Sequence, residues 1–399
     1  MIQARIGWRR VGGITAVQAA ITLCWVIYAF YLPELLVDLG YRRELAIILL
    51  NLENLLEVAI EPLFGGLSDR TQSQLGTRLP WIGLGVVLSA ALLLFLPFLT
   101  WLGSPSSAWR WLLPVLAVAW AAAMAIFRSP TLVLLGRAAP TPQLPLAAAA
   151  LTLVEQLVGA LRFTAYTFIL SLGPLFTFAI GSLALLVAAA VLRVVTPPDP
   201  PDPEPRRSLP TLNWRAVVLF VGTGIALATA LRFSLAALGQ TAAQWLGDER
   251  AGLGLLVFST LAALCALPAG KLATRTGNTR AMAAGAVATG LLILAVCFAP
   301  SLRLAAIALP LLSFVFSLTL NGAVPFVLGL VPPERAGLGL GAYFGALGGG
   351  FSFFDLFWSG VTGQPGRAIG GAIAFAIASA LIALTLKLPA TAALKPDSA

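Results

Sequence analysis

Three glutamates, Glu53, Glu57 and Glu61, recur at every fourth position inside a segment dominated by Leu, Val, Ile and Ala. On a helix they fall within a stripe about 80° wide and about 12 Å tall, with Asn54 beside it. Burial and a neighbouring acid both favour a protonated carboxyl, and a nearby cation reverses that preference. Such a cluster can take up a proton, hold Na+ through its oxygens, or pair with an arginine. Ionisable groups in an apolar span are costly unless they face a cavity or a partner, so a functional site is the first reading. A structural ion pair is the alternative, with Glu53 no more than a polar neighbour. Other charges also interrupt apolar stretches. Glu155 and Arg162 stand seven apart, hence on one helical face, and could pair with each other or across a cavity. Arg232 and Asp355 could form a further ion pair. Trp25, Tyr28, Tyr31, Trp120 and Trp358 could stack on sugar rings, or serve as packing and interface anchors.

A polar run, GGLSDRTQSQLGTR, follows the glutamates. It reads as a loop between the second and third helices, with Gly65, Gly66, Asp69, Arg70 and Arg78 as its working residues. The two glycines would let the second helix approach a neighbour closely. Asp69 is expected at the positive N-terminus of another helix, the eleventh, beginning near Gly337. A contact made in one state and broken in another would act as a latch. An ordinary charged loop that fixes topology is the simpler alternative. Gly341, Gly345 and Gly349 add a small-residue stripe on that eleventh helix, suited to close packing, bending or sliding.

These residues need elements to hold them, and composition says what kind. The chain of 399 residues is 59% hydrophobic and 10% charged, whereas a soluble domain carries about 25% charged residues. Twelve apolar windows of spanning length are expected near 14–37, 45–66, 80–101, 111–135, 145–170, 174–194, 215–238, 251–270, 281–300, 304–330, 337–360 and 369–388. Backbone in lipid must satisfy its own hydrogen bonds, so the fold class is an all-α integral membrane protein. Net charge is +9, but the basic residues sort by side rather than forming a nucleic-acid surface. Arg5, Arg9, Arg10, Arg70, Arg137, Arg206, Arg207 and Lys395 fall with others on one side, against Arg42, Arg43, Arg110, Arg250, Arg303 and Arg367 on the other. The positive-inside rule then puts both termini in the cytoplasm. The first apolar run is too long for a signal peptide and reads as a retained helix. With no His and three isolated Cys, no Cys/His metal site, disulfide framework or His-based catalysis is expected. No nucleophile–base constellation and no phosphate-cradling G-x-x-x-x-G-K-[ST] run appears, so an enzyme or ATP-driven pump is not expected.

A Pro-rich, charged stretch at 196–214 divides the chain into a half at 1–195 and a half at 215–399. GGLSDRT at 65–71 matches GKLATRT at 270–276, with Thr274 in place of Asp69. RSPTLVLLGRAAPTPQ at 128–143 likewise matches AVPFVLGLVPPE at 323–334. Two matches in register indicate a duplicated six-helix unit, the plan of transporters that rock two halves about a midplane site.

The polar run resembles the signature loop of the major facilitator superfamily. A closer resemblance rests on Glu57-x-x-x-Glu61-Pro62-x-x-Gly65, Ser68-Asp69-Arg70-Thr71, Gly76 and Arg78-Leu79-Pro80-Trp81. These motifs look like those of the glycoside–pentoside–hexuronide cation symporters, the melibiose permease and sucrose transporter type. The resemblance is specific over residues 45–83 and extends to Pro130. It implies that Glu57 and Glu61 bind the coupling cation, H+ or Na+, and that the solute is sugar-like. One departure matters. Those symporters carry an acid just before the helix-4 proline, where this chain has Arg128. An arginine there would itself neutralise the glutamates, favouring H+ over Na+. It could instead bind an anionic substrate, or lock the site and leave a uniporter.

The expectation is therefore a monomeric proton-coupled sugar symporter of a bacterial inner membrane, with no cofactor. An exporter or organic-anion exchanger is the runner-up, and a non-transporting scaffold for a pigment or partner protein a further alternative.

Overall fold

The computed structural model describes residues 5–102, 108–197, 210–360 and 363–388. Most of the stretch expected as a linker at 196–214 lies outside the described residues, as do Arg206, Arg207 and Lys395. Twelve long helices, among the described residues, follow the twelve expected spans: α1 (Trp8–Asp38), α2 (Leu45–Leu75), α3 (Leu79–Leu102), α4 (Leu112–Val133), α5 (Leu144–Gly159), α6 (Pro174–Val195), α7 (Trp214–Leu246), α8 (Ala251–Thr276), α9 (Asn278–Cys297), α10 (Leu302–Asn321), α11 (Ala336–Phe357) and α12 (Gln364–Thr385). Short helical turns continue α4, α5 and α10. The described chain starts and ends on one face, called the terminal face below.

Ten of these helical segments are long and apolar enough to cross a membrane. The two that fall short are α2 and α11, the first diluted by its carboxylates and the second by its glycines. They are also the pair that packs most extensively, along nearly their whole length. Around them the protein is turned inside out relative to a soluble one. On α2, Glu53, Glu57 and Glu61 are buried, while Ile47, Ile48, Leu52 and Leu63 point outward.

The first six helices pack among themselves, as do the last six, and two seams join the sets, α2 on α11 and α5 on α8. Both seams use glycine for close backbone approach. A methyl group on Gly341 of α11 would sit 2.3 Å from the Glu61 carbonyl oxygen, and one on Gly270 of α8 would sit 2.7 Å from Ala149 Cβ.

The polar run after Glu61 departs from expectation. It is not a loop: α2 continues through Gly65, Ser68 and Asp69 to Leu75 and ends only at Gly76, whose φ of 68° is left-handed. The helix carries Pro62, Gly65 and Gly66 without ending, and Ser68 and Thr71 return their hydroxyls to the carbonyls of Gly65 and Leu67. Asp69 is therefore held on a rigid rod.

An outward-facing glycine tests the seam by contrast. Gly341→Ala is expected to lower thermal stability in detergent by about 1–3 kcal/mol through overpacking. Gly83→Ala, where a methyl group meets nothing within 4 Å, is expected to be neutral or to gain up to about 1 kcal/mol from helix propensity.

Candidate functional site

The α2 stripe delivers its acids to the protein interior. Glu53, Glu57 and Glu61 are 1%, 7% and 0% exposed, so none faces lipid. Their partners differ. From α4, the Arg128 guanidinium lies between the lower two, its Nη1 3.6 Å from Glu57 and 3.7 Å from Glu61. Those distances make ion pairs but exceed a hydrogen bond, and Arg128 Nε has no partner within the protein. The adjacent Ser129 hydroxyl donates to Glu61. Phe344 of α11 presents its ring 4.7 Å from the guanidinium carbon, a cation–π contact. The Glu57 oxygen that pairs with Arg128, Oε2, also lies against α11, where a methyl group on Gly348 would meet it at 2.7 Å. The half-buried Asn54 also turns its carbonyl toward Gly348. Glu53 stands apart. It accepts from the Tyr28 hydroxyl of α1, and that ring packs 4.3 Å from Trp120.

Glu155 of α5 joins the group from the opposite wall. It accepts from Gln18 of α1 at 2.5 Å and lies within electrostatic reach of Arg128. The helix is interrupted at Ala160 between Glu155 and Arg162. Arg162 folds back to donate to the Gly159 carbonyl at 3.1 Å. It lies within electrostatic reach of both Glu155 and Arg232. Arg232 of α7 and Asp355 of α11 form their ion pair at 2.9 Å, with Arg232 over the Phe351 ring.

Of the aromatics, Trp120, Tyr28 and Tyr31 are buried. Tyr31 spends its hydroxyl on the Ile169 carbonyl at 2.8 Å. These are packing groups. Trp25 is half-buried, and Trp358 is exposed and packs on Phe233. Sequence reasoning missed Gln18, Ser129 and Phe344. Gln18 was legible as a polar residue alone in an apolar span, and Ser129 as the neighbour of Arg128. Phe344 carried no signal among so many aromatics.

Toward the terminal face, α2 meets α11 again. The Asp69 carboxylate accepts from the Gly337 and Leu338 amides, both at 2.9 Å, at the start of α11. These amides have no partner within their own helix, and the helix dipole favours an anion there. Arg78 clamps the same carboxylate at 2.5 Å and reaches Ser68 at 2.9 Å. Gly65 makes room: a methyl group on it would meet the Gly337 carbonyl oxygen at 2.1 Å. Gly66 is half-buried beside Leu338. Arg70 is exposed and sits outside this cluster, contrary to its expected place in it.

No family model matches the chain, and no curated protein matches its sequence. Solved structures do match its fold. It is similar to the human organic anion transporter MFSD10 (TETRAN), with 14% identity over 95% of this chain and 98% of that one, at a TM-score of 0.67. A bacterial homologue of the iron transporter ferroportin, in an outward-facing state with soaked iron, shares 16% identity over 96% and 100%, also at 0.67. The E. coli fucose:proton symporter FucP shares 14% over 94% and 98%, at 0.66. The fold is that of the major facilitator transporters: twelve long helices, among the described residues, in two pseudo-symmetric halves.

The buried Asp69–Arg78 pair admits a quantitative test. Removing either partner alone, by Asp69→Ala or Arg78→Ala, is expected to cost about 3–5 kcal/mol, because the other charge stays buried. The double variant is expected to cost about 1–3 kcal/mol less than the sum, read from thermal unfolding in detergent.

Proposed function

We propose that the chain is a secondary transporter working by alternating access, in which Glu57, Glu61 and Arg128 couple a proton to the movement of a small sugar-like solute. The observation that carries this is one guanidinium shared between two buried carboxylates. One positive charge balances one carboxylate, and a second ionised acid at that depth is left uncompensated. A proton on either glutamate restores neutrality, and its departure pulls Arg128 back between the pair. Glu57 and Glu61 also sit where α2 touches the glycines of α11, so a change in their charge acts on the seam between the halves. The Asp69 contact would close the terminal face in one state and part in the other. The sugar class draws on the motif resemblance and on the likeness to a fucose:proton symporter. We place the protein in a bacterial inner membrane as a monomer, with both chain ends cytoplasmic.

A second reading is favoured by the loose contacts of Arg128. Its N–H groups are held by ion pairs beyond hydrogen-bond length, so a substrate carboxylate could displace a glutamate and bind closer. That would make the protein an organic-anion exchanger, and one structural neighbour is an organic anion transporter.

Uptake of a labelled sugar panel into proteoliposomes under an inward H+ or Na+ gradient separates these. Proton-driven accumulation is expected in the wild type. In Glu57→Gln it is expected to fall at least tenfold, by analogy with the loss of a positioned proton-transfer group, while counterflow exchange persists. Accumulation that survives in the variant would refute the coupling role. Movement of organic anions but no sugar would favour the second reading.

A further inference from the structure

The terminal face also holds a cleft that the coupling site does not use. About 20 Å³ in volume, it is lined by Arg10 of α1, Gln72 of α2, Arg78 before α3, Arg137 after α4 and Thr196 after α6. Three of these residues bring a buried polar atom with no partner within the protein: Gln72 Oε1, Arg78 Nε and Thr196 Oγ1. Buried polar atoms are nearly always hydrogen-bonded, and leaving one unpaired costs its full desolvation. Three around one cleft point to a ligand rather than to chance.

The charge around the cleft says which kind. Arg78 is 2% exposed. Its Nη1 is taken by Asp69 and Ser68, which leaves its Nε edge turned away from the latch. Arg137 lies within electrostatic reach of Arg78, and Arg10 completes a positive rim. An anionic acceptor would take the Arg78 Nε–H and the Thr196 hydroxyl. A half-turn of the Gln72 amide, which exchanges its O and N ends, would add its N–H. Beside the cleft opens a basin of about 560 Å³, lined by Arg5, Arg9, Arg10 and Arg137 and flanked by Trp8, which is 51% exposed. The cleft and the basin share Arg10 and Arg137. An oxygen fits the first, and the body of a larger group fits the second.

We propose that this cleft and basin bind a phosphate group, with one oxygen against Arg78 Nε and Thr196 and the remainder among the basin arginines. Guanidinium forks match phosphate geometry. Two sources share this chemistry. An exposed Trp beside clustered Arg at a helix start suits a lipid headgroup at the membrane surface, and inorganic phosphate presents the same oxygens. The bound group braces Arg78 from the edge opposite Asp69, and so stabilises the closed terminal face.

The test uses the purified full chain in detergent and reads thermal unfolding. Inorganic phosphate is titrated against chloride at equal ionic strength, and phosphatidylglycerol against a galactolipid that lacks phosphate. Gln72→Leu and Thr196→Val are measured alongside. Both leave the Asp69–Arg78 clamp intact and remove an unpaired polar atom, so both are expected to fold. A phosphate-specific rise in Tm is expected, with the half-saturating concentration increased about tenfold in at least one variant, the effect of losing one hydrogen bond to a charged group. A response to inorganic phosphate identifies a soluble anion, and a response to phosphatidylglycerol alone identifies the headgroup. Stabilisation no greater than that from chloride or galactolipid overturns the proposal, as does a response identical in the wild type and both variants.

Discussion

Between α2 and α11 there is no room for a methyl group. Gly65 faces Gly337, Gly341 faces the Glu61 carbonyl, and Gly345 faces the Glu57 carbonyl, each at a distance that a Cβ could not share. Lipid supplies no hydrophobic force to drive helices together, so such backbone contact must supply much of the attraction. The rest follows from it. Because α11 lies so close, the carboxylates of α2 are shut away from lipid. For the same reason, the first amides of α11 arrive within hydrogen-bond reach of Asp69. A wider seam would lose the buried acid site and the terminal contact together.

That closeness has an electrostatic consequence. Four acids, Glu53, Glu57, Glu61 and Glu155, converge on an interior where Arg128 is the central cation. Hydrogen bonds from Tyr28, Ser129 and Gln18 address Glu53, Glu61 and Glu155 individually. Glu57 relies on Arg128 and on its neighbours in α11. It is thus the least supported of the four, and the one placed against the partner half. Under the proposed mechanism, a group with few fixed partners at the seam between the halves is the one suited to exchange a proton. A purely structural acid would be expected to have its hydrogen bonds made.

Much of this was legible in the residues. Ten of the twelve spans follow from hydropathy, since lipid leaves the backbone little choice, while α2 and α11 fall short of that measure. Glu57 and Glu61 stand out by a spacing of four in an apolar run, and the helix dipole puts Asp69 at the start of the eleventh helix, where its carboxylate accepts from Gly337 and Leu338. The failures have physical causes. The run after Gly65 was taken for a loop because polar residues and glycines suggest one. In fact Ser68 and Thr71 satisfy themselves on the helix, which runs on until Gly76 stops it. Phe344 belongs to the site through tertiary approach, which no local pattern encodes.

Whether a proton resides on the pair that shares Arg128 can be observed without knowing the substrate. Infrared difference spectroscopy on acidification of the purified protein reports the C=O stretch of each carboxyl that becomes protonated. Proton sharing at Arg128 requires such a band in the wild type and its loss or shift in Glu57→Gln or Glu61→Gln. A band unchanged in both variants, or none in the wild type, would contradict it and leave Arg128 with a structural pair.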